Sequence, residues 1–331
     1  MIKVAINGFG RIGRNVVRAL YEKGYREQIQ LVAINDLGDA DKLAHLLKYD
    51  SVHGPLTCPV SHSDGGIKIH HDEIPCFKER DPRKLPWASL DVDVVFECTG
   101  LFTEKETAQY HIDAGAKNVL ISAPANGADK TVVYGINHHT LTHQDRIISN
   151  ASCTTNCLAP IAQALNHHLG IESGLMTTVH AFTNDQQLTD GYHNDLRRAR
   201  SATSSVIPTK TGAASAIGLV LPELMGKLDG LAVRVPTNNV SLVDLTFMAP
   251  RDTTVEEVNE ILVKAAKDSE VMSINELPLV SIDFLHNDSS AIADISQTKV
   301  NGRLVKVLAW YDNEWAFSMR MLDNTLAWLE Q

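Results

Sequence analysis

Ile2-Lys3-Val4-Ala5-Ile6-Asn7-Gly8-Phe9-Gly10-Arg11-Ile12-Gly13 opens the chain and decides how the rest is read. Ile2–Ile6 is a short apolar run with β-branched residues, halted by Asn7-Gly8, which predicts a buried strand. Gly8, Gly10 and Gly13 fit G-x-G-x-x-G, and Arg14–Tyr21 continues with helical spacing. Strand, glycine turn and helix in that order give the motif its weight. The first glycine allows the tight turn, the second lets backbone approach a pyrophosphate, and the third lets helix and sheet pack closely. A second buried-type run, Ile29–Ile34, ends at Asn35-Asp36. There the Asp36 carboxylate would accept hydrogen bonds from an adenosine ribose and repel a 2′-phosphate, which favours NAD over NADP.

Working outward, Val92–Phe96, Val119–Ser122, Val132–Ile136 and Arg146–Ser149 read as further strands. Strands separated by helical stretches predict a mostly parallel sheet, an α/β fold of Rossmann type. Residues 37–90 are richer in Gly, Pro, His and Asp and predict insertions or a less regular strand pair. The texture changes after Cys153. Leu175–Thr183, Leu231–Pro236, Ser241–Met248, Leu279–Phe284, Ala291–Ile295 and Leu304–Tyr311 read as strands without regular helices between them. Val255–Lys267 is the one clear helix among them, and Trp315–Leu329 reads as a closing amphipathic helix. This pattern predicts an α+β domain with a mainly antiparallel sheet. The expected boundaries are a dinucleotide-binding domain over 1–152, completed by a C-terminal helix at 317–331, and a catalytic domain over 153–316.

The 331 residues are enough for two domains with proper cores, and 44% hydrophobic with 21% charged residues suits a soluble globular protein. A net charge of -10 argues against an extended nucleic-acid surface but leaves a local anion site open. Five cysteines without disulfide-framework spacing predict free thiols in a reducing compartment. The first residues lack a basic-then-apolar signal segment, and no apolar run approaches membrane-spanning length. The expectation is a cytoplasmic protein.

The chemistry is concentrated in Ser149-Asn150-Ala151-Ser152-Cys153-Thr154-Thr155-Asn156-Cys157, which lies between a strand-like run and the helix-like Leu158–Leu165. A Cys153 sulfur at a helix start would have its thiolate stabilised by unpaired N–H groups, which can also hold an oxyanion or phosphate. The same residues also read simply as helix caps around a buried thiol. His180 ends the strand Thr177–His180, where it could exchange a proton with Cys153 or serve as a satisfied strand-end residue. Arg197, Arg198 and Arg200, the Thr209-Lys210-Thr211-Gly212-Ala213 turn and Arg234 supply anion chemistry. Arg234 interrupts an apolar strand and so requires a partner. The paired histidines His70-His71, His138-His139 and His167-His168 point apart and lack a matching cysteine pair, so no metal site is expected.

Taken together, these windows closely resemble the phosphorylating glyceraldehyde-3-phosphate dehydrogenase family over the whole chain. The resemblance is carried by Ile6–Arg14, Ala151–Cys157, Thr183-Asn184-Asp185-Gln186, Asp195–Arg200, Pro208–Ala214 and Trp310-Tyr311-Asp312-Asn313-Glu314-Trp315. It implies Cys153 as nucleophile and His180 as its base. Thr183 and Arg234 would hold the substrate's C3 phosphate. Ser152, Thr154, Thr211 and Gly212 would hold attacking inorganic phosphate, with Arg198 between the two positions. For NAD it implies Arg11 and Ile12 backbone at the pyrophosphate, Asp36 at the ribose, contacts from Arg80 and Ser122, and Asn313 at the nicotinamide carboxamide. A homotetramer and a place in glycolysis or gluconeogenesis are implied as well. Gly191-Tyr192 replaces the Leu-Pro pair common in NAD-specific members, and Ala316-Phe317 replaces the usual Gly-aromatic pair.

The nearest alternative is erythrose-4-phosphate dehydrogenase, which Tyr192-His193 and Leu277–Asp283 resemble. Thr211-Gly212-Ala213-Ala214 argues against it by keeping the inorganic-phosphate loop. A non-catalytic dinucleotide-binding protein on the same scaffold is a third reading.

Overall fold

Ile2–Asn7 lies in the middle of a nine-stranded sheet, as its unbroken apolar run requires. The computed structural model describes residues 1–330. On one side of this strand lies Ile29–Asn35, then Asp72–Phe77, Gly66–Ile69 and Val60–Ser63. On the other lie Val94–Glu97, Asn118–Ile121, Ile147–Ser149 and the two-residue Lys130–Thr131. All pairings are parallel except the two among Val60–Ser63, Gly66–Ile69 and Asp72–Phe77. Segment 37–90 thus contributes a three-strand extension and the helix Ala40–Lys48. Val132–Ile136 departs from the expected strand. Asn137 accepts the Val133 N–H at 2.8 Å, and Gly135 takes φ +81°, so the chain turns instead of extending.

This sheet belongs to a unit formed by Met1–Val132, His138–Ala151 and the segment from Ser318 onward. Ala5, Ala33, Trp87, Val92 and Val95 form one of its apolar clusters. Asn324 donates to Asn150 Oδ1 at 2.7 Å, which ties the closing helix Trp315–Leu329 to the end of a sheet strand.

The second unit, Val133–Asn137 with Ser152–Phe317, is built on an eight-stranded mixed sheet. Its order is Ile207–Lys210, Leu228–Val235, Ser173–Ala181, Ser241–Met248, Leu304–Tyr311, Ala291–Asp294 and Met272–Asn275, with Lys299–Asn301 paired to Leu304–Tyr311. Most pairings are antiparallel. Ser173–Ala181 with Leu228–Val235 and Met272–Asn275 with Ala291–Asp294 are parallel. Ser241–Met248 alternates buried and half-buried residues, the period of a strand with one covered face. The helix Cys153–His168 packs on this sheet, and Val255–Lys267 packs on that helix.

Leu279–Phe284 is not a strand. Asp283 accepts the Val280 N–H at 2.9 Å and closes a short turn over Ser281–Phe284, while Phe284 stacks on Trp310. Ile207–Lys210 and Met272–Asn275, the outer strands, escape sequence reading because each is short and carries at most two apolar side chains among polar ones or proline.

Candidate active site

In the first unit, Gly8 adopts φ +93°, and a Cβ there would lie 2.6 Å from the Thr99 nitrogen. A Cβ on Gly13 would lie 2.3 Å from the Gly8 carbonyl oxygen, so turn and helix touch backbone to backbone. Gly10 differs. Nothing lies within 4 Å of its ideal Cβ, and as N-cap of Arg11–Glu22 it makes no side-chain cap. The N–H groups at the start of a helix have no intrahelical partner, so Arg11 and Ile12 backbone can meet a pyrophosphate across that open space. Asp36 accepts Phe9 N–H at 2.8 Å and Gly38 N–H at 2.9 Å, which fixes the turn and the acid together. Each carboxylate oxygen keeps a lone pair for a ribose hydroxyl.

Arg11 directs its side chain to Asp50, at 2.5 and 3.1 Å, so its contribution to an anion is through backbone. Burial opposes the Asp50 charge, yet Arg11 and the His53 and Val52 N–H groups hold that carboxyl well below the usual range. A cleft of about 330 Å3 runs along these strand ends, lined by Asn7, Gly8, Gly10, Asp36, Arg80 and Thr99 among others. Ser122 follows the strand Asn118–Ile121 and is held by its N–H to the Glu97 carbonyl at 3.0 Å. Turn, open face and acid together fit a dinucleotide.

In the second unit, Ser152 is the N-cap of Cys153–His168: its Oγ accepts the Thr155 N–H at 3.0 Å and meets the Thr155 hydroxyl at 2.7 Å. Ala151, just before it, has φ +57°, a conformation of the kind that costs about 1–3 kcal/mol in a non-glycine residue. Cys153 Sγ lies 3.5 Å from His180 Nε2. His180 is buried at the end of Ser173–Ala181, and register sets it beside Arg234 on the neighbouring parallel strand. Arg234 Nη1 approaches His180 Nδ1 at 2.9 Å, Ala181 O at 3.0 Å and Thr183 Oγ1 at 3.5 Å. The Arg234 Nε has no hydrogen-bond partner although it is buried.

Nδ1 also lies 2.7 Å from the Ala181 carbonyl. With its hydrogen on Nδ1 the ring donates to that carbonyl and presents a bare Nε2 to the sulfur. Arg234 Nη1 then donates to the same carbonyl and stands beside Nδ1 without bonding it. Burial first, and then the Arg234 charge, drive His180 down to about 3, so the ring stands neutral. Burial pushes the Cys153 thiol up, while the Arg234 charge and the Thr154 hydroxyl and N–H pull against it. Enclosure therefore works against the thiolate, and the Arg234 charge and the helix-start donors work for it.

Thr154 turns inward. It is buried, and its hydroxyl meets Tyr311 OH at 2.8 Å while both that hydroxyl and the backbone N–H act on the Cys153 sulfur. Arg198 reaches Thr209 Oγ1 at 3.0 Å and Lys210 O at 3.1 Å and forms an ion pair with Asp185. Thr211 and Gly212 follow the same strand. Thr211 Oγ1 accepts Ala213 N–H at 3.2 Å, and the space at the Gly212 Cβ position is open. Asn313 Oδ1 accepts from Ser241 Oγ at 2.7 Å, and that hydroxyl oxygen also receives the Ala181 N–H. The structure thus gathers Cys153, His180, Thr183 and Arg234 into one constellation. Arg198 with its strand partners forms a second group, and among the described residues no hydrogen bond joins Thr211 or Gly212 to Ser152.

Sequence reading missed Tyr311. Its buried hydroxyl also meets Thr178 Oγ1 at 2.8 Å, which fastens the helix that begins at Cys153 to the strand that carries His180. The signal was present in Trp310-Tyr311-Asp312-Asn313, where a phenol ends an otherwise apolar strand. Close by, Trp315 stacks on His286 with ring centres 3.6 Å apart and donates from Nε1 to Asp288 at 2.8 Å. Among the described residues, no group of three or more His, Cys, Asp or Glu could hold a metal ion, and no helix is long and apolar enough to cross a membrane.

A parallel sheet with such a glycine turn, in one chain with a cysteine–histidine pair beside cations, defines the class: a nicotinamide-dinucleotide dehydrogenase. The family profile described as "Glyceraldehyde 3-phosphate dehydrogenase, NAD binding domain" matches residues 2–105, and the C-terminal domain profile of the same family matches 152–313. Glyceraldehyde-3-phosphate dehydrogenase of Pseudomonas aeruginosa is 63% identical over 326 residues, covering 98% of both chains. The chromosomal enzyme of Cupriavidus necator is 62% identical over 330 residues, again with 98% of both covered. Glyceraldehyde-3-phosphate dehydrogenase 1 of Bacillus cereus is 53% identical, with 98% of this chain and 97% of the relative covered. The chain belongs to the glyceraldehyde-3-phosphate dehydrogenase family, and its cofactor is NAD.

Proposed function

We propose that this chain oxidises D-glyceraldehyde 3-phosphate, with NAD and inorganic phosphate, to 1,3-bisphosphoglycerate in glycolysis and gluconeogenesis. The observation that carries the reading is the 3.5 Å approach of Cys153 Sγ to His180 Nε2. Cys153 sulfur attacks the aldehyde carbon as His180 Nε2 takes the thiol proton and returns it to the former carbonyl oxygen, which gives a thiohemiacetal and leaves Nε2 bare again. The N–H of Cys153, at the helix start, steadies the oxygen. NAD, when bound, supplies the hydride acceptor. His180 removes the hydroxyl proton, and a thioester remains on Cys153. Inorganic phosphate then attacks the thioester carbon, the C–S bond breaks, and Cys153 leaves with the acyl phosphate formed.

Arg234 and Thr183 suit the C3 phosphate: one offers a guanidinium with an unpaired Nε, the other a hydroxyl beside it. Arg198, Thr211, Gly212, Ser152 and the Thr154 N–H suit the inorganic phosphate. In the first unit, Gly8, Gly10, Arg11, Ile12, Asp36, Arg80 and Ser122 bind NAD. Asn313, with Oδ1 engaged by Ser241, offers its NH2 to the carboxamide. We assign cofactor binding to 1–152 with 317–331, catalysis to 153–316, and the working enzyme to a cytoplasmic homotetramer, all by family membership.

The test is NADH formation from glyceraldehyde 3-phosphate and erythrose 4-phosphate, each with and without phosphate, using NAD and NADP. Strict dependence on phosphate with the triose supports the reading. Equal rates without phosphate would overturn it in favour of a hydrolysing relative.

A further inference from the structure

Behind the dinucleotide cleft lies a buried polar network that no catalytic step uses. Register brings Asn7 opposite both Asn35 and Glu97, so three polar residues end three adjacent parallel strands at one level. Glu97 is 1% exposed, and Trp87 and His111 are 0% exposed. Trp87 Nε1 stands 3.0 Å from His111 Nδ1. An indole N–H can only donate, so Nδ1 presents its lone pair and the ring carries its hydrogen on Nε2. That hydrogen goes to Glu97 Oε2 at 2.9 Å. Asn7 Nδ2 donates to the same oxygen at 2.6 Å, while Thr99 gives both its N–H, at 2.8 Å, and its hydroxyl to Oε1. Asn7 Oδ1 in turn receives Asn35 Nδ2 at 2.7 Å. The rings of Trp87 and Phe102 flank the imidazole.

A buried carboxylate held only by neutral donors is a demanding choice, because apolar packing serves stability at least as well. Its geometry is informative. Asn7 precedes Gly8, and the Thr99 nitrogen is the atom a Gly8 Cβ would strike. Both residues line the cleft, and a single carboxylate grips both. We infer that Trp87 and His111 are positioning residues for NAD: the indole fixes the imidazole tautomer, the imidazole orients Glu97, and Glu97 spans Asn7 and Thr99 so that the Gly8 turn is set before the cofactor arrives. Preorganisation of this kind strengthens binding by removing the ordering step from it.

The test titrates NAD calorimetrically into charcoal-stripped full-length protein, with near-ultraviolet circular dichroism and Tm as checks on folding. His111→Leu should raise the NAD Kd by about tenfold or more, the effect of leaving buried partners unpaired, while kcat at saturating substrates stays within about twofold. His111→Gln keeps an amide N–H within reach of Glu97 and should recover most of the affinity. Trp87→Phe keeps the ring, loses only the N–H, and should weaken NAD by about threefold to fivefold. A folded His111→Leu protein with affinity within twofold of the parent overturns the inference, as does a kcat that falls as far as the affinity, or absence of rescue by Gln. If His111→Leu does not fold, Trp87→Phe with unchanged NAD affinity overturns it instead.

Discussion

Arg234 Nη1 stands 2.9 Å from His180 Nδ1, and the two residues are in-register neighbours on parallel strands. A permanent cation is therefore built against the imidazole by backbone pairing rather than by a mobile side chain reaching in. It lowers the basicity of His180 and favours negative charge on Cys153. Removing it should move both groups. Arg234→Leu should lower kcat/KM for the phosphorylated aldehyde by at least about a hundredfold, as expected when a buried charge-assisted contact to an anion is lost. Since the cation holds the His180 pKa down, its loss raises that pKa from about 3 toward the ordinary value. The acid limb of the kcat profile, where the base becomes protonated, should move to higher pH. A limb that stays in place would separate Arg234 from the base.

Cys153 should be the first thiol to react. Burial raises Cys76 to about 11 and Cys157 well above its usual value with little to oppose it, whereas Cys153 has the Arg234 charge and the Thr154 donors beside it. Iodoacetamide at limiting stoichiometry, followed by peptide mapping, should find the label on Cys153 and activity lost in proportion. Cys153→Ser should retain NAD binding and lose roughly 10^3-fold or more of turnover. Faster labelling of Cys58 or Cys76 would contradict the assignment.

Tyr311→Phe removes one oxygen shared by Thr154 and Thr178. Two buried hydroxyls lose a partner, so urea denaturation should find about 1–3 kcal/mol less stability. Because the same oxygen fastens the helix of Cys153 to the strand of His180, kcat should fall more than KM rises. A variant equally stable and equally fast would reduce Tyr311 to a packing residue.

Gly10 and Gly13 should behave in opposite ways. Gly13→Ala drives a methyl to 2.3 Å from the Gly8 carbonyl and should lower stability by about 1–3 kcal/mol, seen as a drop in Tm. Gly10→Ala meets no protein atom and has an ordinary φ of -74°. It should leave Tm nearly unchanged while weakening NAD, because the methyl enters the space kept for the pyrophosphate. Unchanged NAD affinity in Gly10→Ala would mean that the pyrophosphate lies elsewhere.

Asp185 already neutralises Arg198 from a half-exposed position, so on the proposed reading inorganic phosphate at Arg198 competes with a resident carboxylate. Asp185→Asn should lower the KM for phosphate by up to about fivefold, the scale of an exposed ion pair. A KM that rises would make Asp185 an organiser of Arg198 instead of its competitor.

Much of this was legible before the structure. Apolar run, glycine turn and Asp36 announced the first sheet because strand burial and backbone proximity restrict which residues fit. The Cys153 window announced a helix start, and Ser152 proved to be its cap. What stayed hidden depends on pairing across the sheet. Nothing local joins Arg234 to His180, or Tyr311 to Thr154 and Thr178, because those contacts follow from strand order and register. Leu279–Phe284 misled for a related reason: its apolar residues suit a strand, but Asp283 turns the backbone on itself. Thr154 was legible as part of a reactive window, though not as a residue whose hydroxyl is shared with Tyr311.

The Trp315 stack has a practical consequence. An indole pressed against His286, with its N–H held by Asp288, sits two positions after Asn313 on a continuous stretch of backbone. Its emission depends on that stacking, so a change in the spacing of the two rings alters the light it gives out. The protein thus carries a built-in optical probe of this corner of the fold, one that Trp315→Phe separates from the emission of Trp87, Trp310 and Trp328.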